Sequence, residues 1–542
     1  MIFYISGTIL SMTQEKTPAN QGDSGGVEEI HPSVLEASRR AKLDRYRNEM
    51  GVDPFGGRVL GLVSLGAARA AFNADAQTQH ELDSAKAKAD PAFQIVDTRP
   101  RMKVAGRVVQ YRDLGKIIFF WLRDHTGDLQ ISMSKSAADA KSFEIAKALD
   151  YGDIVCAEGP IGRTQKGEIC IWAKDVSLQC KSLAPPPGKW HGLEDAEIRY
   201  RKRYLDMWAT PRTMQVFQMR SRIVAMARGF MQQRGFLEVE TPMMQPLAGG
   251  AAARPFVTTH NALGMNLFLR VAPELYLKRL ITGGMPRVFE INRNFRNEGV
   301  DRSHNPEFTA MEAYEAFGDY TSIMDLTEAL VHECATQVAK EQADVPAGPV
   351  LAFGEFKVNY AMPFRRVTFA ELFKQGSGLD IFDEKSILQE AQSRHIPNAA
   401  TIDHWLRVEK LFELLAEPKI DPCTPTFVTD WPSAVSPLTR PRADDPRLCE
   451  RGDLFIGGME MGPHYSELND PDVQRAKFTE QLKGVNDEET TFRTLDEDFL
   501  ESLKVGMPPT GGMGLGIDRL VMLLTNSESI RDVILFPLMK SE

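Results

Sequence analysis

The sequence predicts an α+β protein: a small N-terminal β-barrel followed by a larger domain built on an antiparallel sheet flanked by helices. Three observations carry this. Short β-rich runs crowd residues 104–173, a Pro/Gly-rich stretch interrupts the chain at 184–192, and beyond it amphipathic helices mix with strands of alternating polarity. A chain of 542 residues is too long for one hydrophobic core, so several domains are required.

The bulk properties narrow the function classes. No apolar run is long enough to span a bilayer. The opening MIFYISGTILS has the look of a signal-peptide fragment, but it lacks a basic start and leads into a polar stretch. Residues 1–31 are therefore expected to be a disordered extension, with Met12 a candidate start. Cys156, Cys170, Cys180, Cys334, Cys423 and Cys449 form no CxxC pair. Neither zinc nor a disulfide framework is indicated, and a reducing cytoplasm is expected. The net charge of −10 disfavours a protein coated in nucleic acid, so any RNA partner must meet a local basic surface.

Residues 32–103 form an N-terminal helical segment. Its first part, 32–48, has apolar residues among Arg and Lys at helical spacing, closed by Gly51 and Pro54; it reads as a basic, exposed helix that either packs or contacts RNA. The stretch 70–91 is a second charged helical segment. Residues 104–183 carry VAGRVV, IIFFWLRD and DLQISM, then the helical AADAKSFEIAKAL, then DIVCAEG and EICIWA. Three strands, a helix and two strands is the chain order of an OB-fold, a Greek-key barrel that binds single-stranded nucleic acid.

Residues 184–212 are a linker and hinge. APPPGKWHG marks the boundary, and the following EIRYRKRYLD clusters Arg199, Arg201, Lys202 and Arg203, either as a solvated helix or as phosphate contacts. Residues 213–542 make the second domain. Val216, Met219, Ile223, Met226 and Phe230 step by three and four, giving an amphipathic helix stopped by Gly235, then the strand FLEVE and Thr241-Pro242.

The residues suited to chemistry follow. RVFEINRNFRNEG, 287–299, reads as a strand whose period of two puts Glu290, Asn292, Arg296 and Glu298 on one face. After the turn DRSHNP, the return strand EFTAMEAYEA puts Phe308, Glu312 and Tyr314 on one face. A face this polar is costly without ligands or partners, so it points to a binding cleft. Arg296 can fork onto an α-phosphate, His304 can reach outer phosphates, and Phe308 offers adenine a flat surface.

DLFIGGMEM, 453–461, reads as a hairpin on Gly457-Gly458 with Phe455 opposite Glu460. Asp453 then lies diagonally beside Glu460, and two such carboxylates suit a shared Mg²⁺ on nucleotide phosphates. Near the end, PPTGGMGLGIDRLVMLL joins a Gly-rich stretch to an apolar helix with Arg519 in its first turn. It is neither a Walker A loop nor a dinucleotide fingerprint.

Taken together, these blocks resemble the class II aminoacyl-tRNA synthetases. The helix–strand–Pro242 unit resembles motif 1, NFRNEG with HNPEF resembles motif 2, and GLGIDR resembles motif 3. Within that class GGAAARPF, APELYLKRL, INRNFRNEG, SELNDP and IRDVILFP resemble the lysyl-tRNA synthetases, over residues 32–540. The resemblance implies an anticodon-binding OB-fold at 104–183 and a class II catalytic domain at 213–542. It also implies a homodimer through motif 1, and activation of L-lysine by ATP with Mg²⁺ before transfer to tRNA(Lys).

Roles carried over by resemblance are as follows. Arg296 holds the α-phosphate and the lysine carboxylate, Glu298 and Asn305 surround adenine, Phe308 and Arg519 sandwich it, and His304 meets the outer phosphates. Asp453 and Glu460 hold Mg²⁺. Gly249, Glu274 and Glu312 surround the α-ammonium of lysine, Tyr314 and Glu467 its ε-ammonium, and Tyr465 flanks the alkyl chain. In the barrel Phe119 stacks an anticodon base, where the residues alone also permit plain core, and Gln130 and Glu168 read it. Stacking tolerates any base, so discrimination falls to the polar edges.

Two departures stand out. Pro463-His464-Tyr465 replaces the family's usual Asn-Gly-Phe, and Pro463 offers neither a side-chain amide nor an N–H. Weaker lysine binding is expected unless His464 or a water substitutes. Lys504-Val505-Gly506 replaces Glu-Tyr-Gly, a change to which no consequence attaches. An aspartyl- or asparaginyl-specific relative is opposed by Glu274, Glu312 and Glu467. A paralogue that lysylates a protein, as the relative acting on elongation factor P does, lacks the barrel, while a lysine- or tRNA-binding protein without charging activity stays open through Pro463.

Overall fold

The computed structural model describes residues 32–541 apart from 91, 185–192, 194, 252, 342–347 and 482–494. The expectations for 1–31, for Met12 and for most of the Pro/Gly linker fall outside the described residues. The chain divides after residue 188 into two compact units.

In the first unit the helix Pro32–Asn48 forms as its spacing predicts. Leu43, Tyr46 and Arg39 are buried, and Arg39 donates to the carbonyls of Ser182 and Tyr151 at 3.0 and 2.9 Å. Lys42 pairs with Asp150 at 2.6 Å. One face of this helix therefore packs on the barrel side of the unit, while most of its residues are exposed as the sequence predicts. Helices Leu65–Ala70 and Ala74–Ala89 follow, capped by the side chains of Ser64 and Asn73, which satisfy otherwise orphaned N–H groups.

The barrel contains β1 (Arg101–Asp113), β2 (Ile117–Asp124), β3 (Gly127–Ser134), the helix Ala140–Lys147, then β4 (Ile154–Arg163), β5 (Ile169–Trp172) and β6 (Asp175–Cys180). Strand order is β1-β2-β3-β5-β4-β6, and β1 also pairs with β4, which closes the barrel. Strand β6 is one more than the sequence reading foresees. It is a polar run, DVSLQC, that pairs with β4 only.

Alternate residues fill the barrel: Ile118, Phe120 and Leu122 from β2, and Leu129, Ile131 and Met133 from β3. Burying each such side chain contributes about 1.5–3 kcal/mol. Phe119 falls between them on the outer face, half-buried, so the plain-core alternative for it fails.

In the second unit the basic cluster at the hinge is structural. Arg203 is fully buried, pairing with Asp206 at 3.0 Å and donating to the Leu535 carbonyl at 3.0 Å. Arg199 also pairs with Asp206, at 3.1 Å. For Arg203 the phosphate-contact alternative is overturned. The helix Pro211–Gln233 starts on a proline and buries Val216, Ile223 and Phe230. Gly235, at φ +80°, adopts the left-handed backbone that ends it. FLEVE supplies only β7 (Leu237–Glu238).

Small strands β8 (Met244–Gln245), β9 (Val257–His260) and β10 (Met265–Leu269) form a separate sheet. The main sheet uses β11 (Arg287–Phe295) and β12 (Glu307–Ala316). Beyond a hairpin of β13 (Val350–Phe353) and β14 (Phe356–Asn359), it adds β15 (Arg365–Thr368), β16 (Thr426–Thr429), β17 (Arg451–Ile456), β18 (Met459–Ser466) and β19 (Thr510–Gly516). Eight strands run in the order β15-β16-β17-β18-β19-β12-β11-β7. Only the two edge pairs, β15–β16 and β11–β7, are parallel. One face is apolar: Phe289, Met311, Ala313, Leu454, Met513 and Leu515 join a core with helices Tyr320–Lys340 and Ile517–Leu524. The other face builds the cleft.

Candidate active site

The cleft begins with strand parity. On β12, Met311 and Ala313 enter the core, so Phe308, Glu312 and Tyr314 line a cavity of about 470 Å³ on the other side. On the neighbouring β19, Gly512, Gly514 and Gly516 lie opposite Tyr314, Glu312 and Ala310. The Gly-rich stretch is thus a strand, not a loop. Its glycines alternate with Met513 and Leu515, which are buried, leaving a strip without side chains where a ligand can approach the backbone. At Gly512 a methyl group would run into the Glu467 carboxylate and stand 2.7 Å from the Tyr314 ring.

One group of cavity residues comes from the end of β11 and its connection to β12. Strand β11 stops at Phe295, so Arg296 and Glu298 follow the strand instead of continuing it. Both line the cavity, and the Arg296 guanidinium lies 5.2 Å from the Phe308 ring centroid. Glu290 and Asn292, assigned by alternation to the same face, are not free: Glu290 is buried against Arg270 at 2.7 Å, and Asn292 donates to Glu290 at 3.2 Å. His304 bonds through Nδ1 to Asp301 at 2.8 Å, and its Nε2 lies 3.2 Å from Arg519 Nη2. Because a guanidinium only donates, Nε2 is the acceptor and Nδ1 carries the proton. Asn305 donates to the Glu307 carbonyl at 2.6 Å. Among the described residues, the buried polar atoms around the cavity without a hydrogen-bond partner include Arg296 Nε, Asn294 Oδ1 and Asn305 Oδ1.

The second group is acidic. Gly249, Glu274, Glu312, Tyr314 and Tyr465 line the same cavity. Tyr314 donates to Glu312 at 3.1 Å. Burial, with Glu274 nearby, pushes the Glu312 carboxyl up to about 8, and burial with Glu312 holds the Tyr314 phenol well above its ordinary range. Glu467 is buried behind this wall and does not line the cavity; its carboxylate pairs at 2.5 Å with Lys278, a residue sequence reading missed. The signal was present as an i,i+4 Glu-Lys pair in APELYLKRL, which reads as a surface pair.

The hairpin forms on Gly457-Gly458 with Phe455 opposite Glu460, as its spacing predicts. A bulge then shifts the register, because Leu454 pairs with Gly462 and leaves Met461 extra. This extra residue lets both Glu460 and Tyr465 face the cleft, which strict alternation forbids. It also accommodates Pro463, whose missing N–H would break a regular central strand. Water reaches Glu460, yet the cleft walls, and after them Asp453, raise its carboxyl above the ordinary range. Asp453 is buried and held by a two-point contact to Arg451, at 2.8 and 2.6 Å.

His464 corrects one expectation. It points away from the cleft, fully buried, with Nδ1 2.9 Å from the Gly452 carbonyl and Nε2 2.9 Å from Thr327 Oγ1. It cannot replace the missing carboxylate clamp. Burial lowers its pKa from 6.5 to about 4, so the native protein resists a proton that the unfolded chain accepts. The contribution is fully present above pH 6.5 and is lost as pH falls toward 4, by about 3 kcal/mol in all. Urea unfolding of the wild type should therefore lose more stability between pH 7.5 and 5 than that of His464→Gln; equal losses would refute this.

In the barrel, register places Phe119 and Gln130 on the outer face, and Glu168 lies just before β5. Phe119 pairs with Ser132, two residues from Gln130; Gln130 pairs with Cys170, two residues after Glu168. Glu168 is exposed, while Gln130 is buried and donates to Ser132 at 3.1 Å.

An acidic pocket beside an arginine suited to phosphate, on an eight-stranded, mainly antiparallel sheet in a chain that also carries an OB barrel, is the arrangement expected of a class II tRNA synthetase. Residues 195–540 match the family model for class II tRNA synthetases (D, K and N), and residues 102–185 match an OB-fold nucleic acid binding domain. The lysine–tRNA ligase of Pelotomaculum thermopropionicum is 43% identical over 95% of this chain and 96% of its own length. That of Halalkalibacterium halodurans is 44% identical over 95% and 98%, and that of Aquifex aeolicus 44% over 84% and 74%. The chain belongs to the lysine–tRNA ligase family of class II synthetases.

Proposed function

We propose that the cleft joins the lysine carboxylate to the α-phosphate of ATP, releasing pyrophosphate, and then transfers the lysyl group to the 3′ end of tRNA(Lys). The observation that carries the ATP half is the set of orphaned atoms, Arg296 Nε, Asn294 Oδ1 and Asn305 Oδ1, at one cavity. Buried polar groups without partners are costly, and a nucleotide satisfies them. Arg296 holds the α-phosphate, Phe308 and Arg519 enclose adenine with Glu298 and Asn305 at its edges, and His304 meets the outer phosphates.

Lysine takes Gly249, Glu274 and Glu312 at its α-ammonium, Tyr314 at the ε-ammonium with the charge of Glu467 behind that wall, and Tyr465 along its chain. No side chain need act as a nucleophile; catalysis comes from orientation and charge. Glu460, which is open to solvent, would hold Mg²⁺; Asp453 would be the second carboxylate, although both its oxygens are engaged by Arg451 in this structure. When bound, the ion supplies positive charge to the phosphates.

Phe119, Gln130 and Glu168 read the anticodon. Exposed Leu237, Met244, Val257 and Leu263 support docking of a second copy beside motif 1. Among the described residues no helix is long and apolar enough to cross a membrane, and six unpaired cysteines suit a cytoplasmic setting.

Incubating the protein with ATP, Mg²⁺, lysine and tRNA(Lys) should yield lysyl-tRNA, and lysine should drive ATP–pyrophosphate exchange. Exchange with aspartate but not lysine would sink the reading. Pro463→Asn should lower the KM for lysine about 10- to 100-fold, the equivalent of a restored hydrogen bond to a charged group. An unchanged KM would show that the carboxylate is held without position 463.

A further inference from the structure

Lys278 lies one turn after Glu274 on the helix Glu274–Thr282. Its side chain is completely inaccessible to solvent. The ammonium sits 2.6 Å from Glu274 and 2.5 Å from Glu467, two acids already given to opposite ends of the substrate. A surface i,i+4 pair contributes only tenths of a kcal/mol, and a desolvated ammonium is expensive unless fully paired. Its place between two pocket carboxylates therefore calls for a functional account.

The charges facing one another here are Glu274 and Lys278 from the helix, Glu312 and Tyr314 from β12, and Glu467 after β18, with Arg270 and Arg296 acting on Glu312. Arg270 is already paired with Glu290, and Lys278 is the ammonium that Glu274 and Glu467 share. Burial holds the Glu312 and Glu467 carboxyls up at about 8, so the pocket is short of positive charge. Lysine brings two ammonium groups. An amino acid with only one leaves a buried carboxylate unpaired, which costs several kcal/mol or forces a proton onto it.

We infer that Lys278 is a specificity-determining positioning residue: a resident cation that spans Glu274 and Glu467 and sets the pocket charge to match a di-ammonium amino acid. This rests on the lysine-activating reading of the cleft. Burial alone would lower the Lys278 pKa, but Glu274 and Glu467 outweigh burial and hold it above the ordinary range, so the ammonium persists at neutral pH. Without it the pair takes up a further proton, beyond the one that burial already favours on Glu467, and lysine must expel that proton to bind.

The test is Lys278→Met in the full-length protein, which keeps the length of the side chain and removes its charge. Lysine KM in ATP–pyrophosphate exchange should rise at least tenfold at pH 7 and recover as pH increases, while ATP KM stays within twofold. Calorimetry in buffers of different ionisation enthalpy should show about one proton more released per lysine bound than in the wild type, as expected for one added acid. An unchanged proton count with a pH-independent rise in KM would make Lys278 a mere packing residue and overturn the inference. If the variant does not fold, Lys278→Met with Glu467→Gln removes cation and anion together. Recovered folding supports the charge match, and continued failure overturns it. Absence of lysine-driven exchange in the wild type would instead sink the functional reading itself.

Discussion

Arg296→Ala should slow lysine-dependent ATP–pyrophosphate exchange by about 10²–10³-fold, the range seen when one preorganised donor to a developing charge is removed. Two features make the effect large. The Arg296 guanidinium stacks at 5.2 Å from Phe308, so its direction is set before a nucleotide arrives. Its Nε is buried without a partner, so the free protein already bears the desolvation cost. Arg296→Lys should recover only a small part, because a point charge lacks the two-pronged donor geometry. A loss below tenfold in Arg296→Ala would remove this residue from the reacting centre.

Glu312→Gln should raise the KM for lysine about 10²-fold while leaving the fold at least as stable at pH 8. Truncating one member of a buried charge pair costs about 2–5 kcal/mol. Stability moves the other way for a definite reason. The Glu312 carboxyl is pushed up to about 8, against about 4.5 in an unfolded chain. A raised acid favours the fold most below pH 4.5, and that contribution is lost as pH rises through 8. Glutamine resembles the protonated form and removes the dependence. Melting curves from pH 6 to 9 should fall more steeply for the wild type, and parallel curves would contradict the argument. The same proton should leave when lysine binds at neutral pH.

Much of this site was legible because strands impose a period of two. Phe308, Glu312 and Tyr314 share a face, and the turn at Gly457-Gly458 sets Phe455 against Glu460, both from spacing alone. What stayed hidden depends on neighbours distant in sequence. Alternation cannot tell that Glu290 is consumed by Arg270, which lies 20 residues away, or that Lys278 reaches Glu467. Nor does composition reveal that Arg203 is an internal brace bonded to carbonyls at the C-terminus. The glycines of β19 were visible, but their role emerges only when β12 supplies large side chains opposite them. The barrel order was readable, except that β6 lacks the apolar density of its neighbours.

The extra residue at Met461 has a wider consequence. It acts as a phase shift in strand β18: before it, even-numbered residues address the substrate; after it, odd-numbered ones do. Deleting one residue between Glu460 and Pro463 would remove the bulge and restore plain alternation, keeping Glu460 and Tyr465 on the cleft face while taking away the irregularity that accommodates Pro463. Deleting two would invert the wall, turning Tyr465 toward the apolar interior and His464 outward. Length variation in this strand is thus tolerable only as loss of the bulge residue itself, so sequences related to this one should keep six residues between Glu460 and Glu467, or five where the bulge is gone.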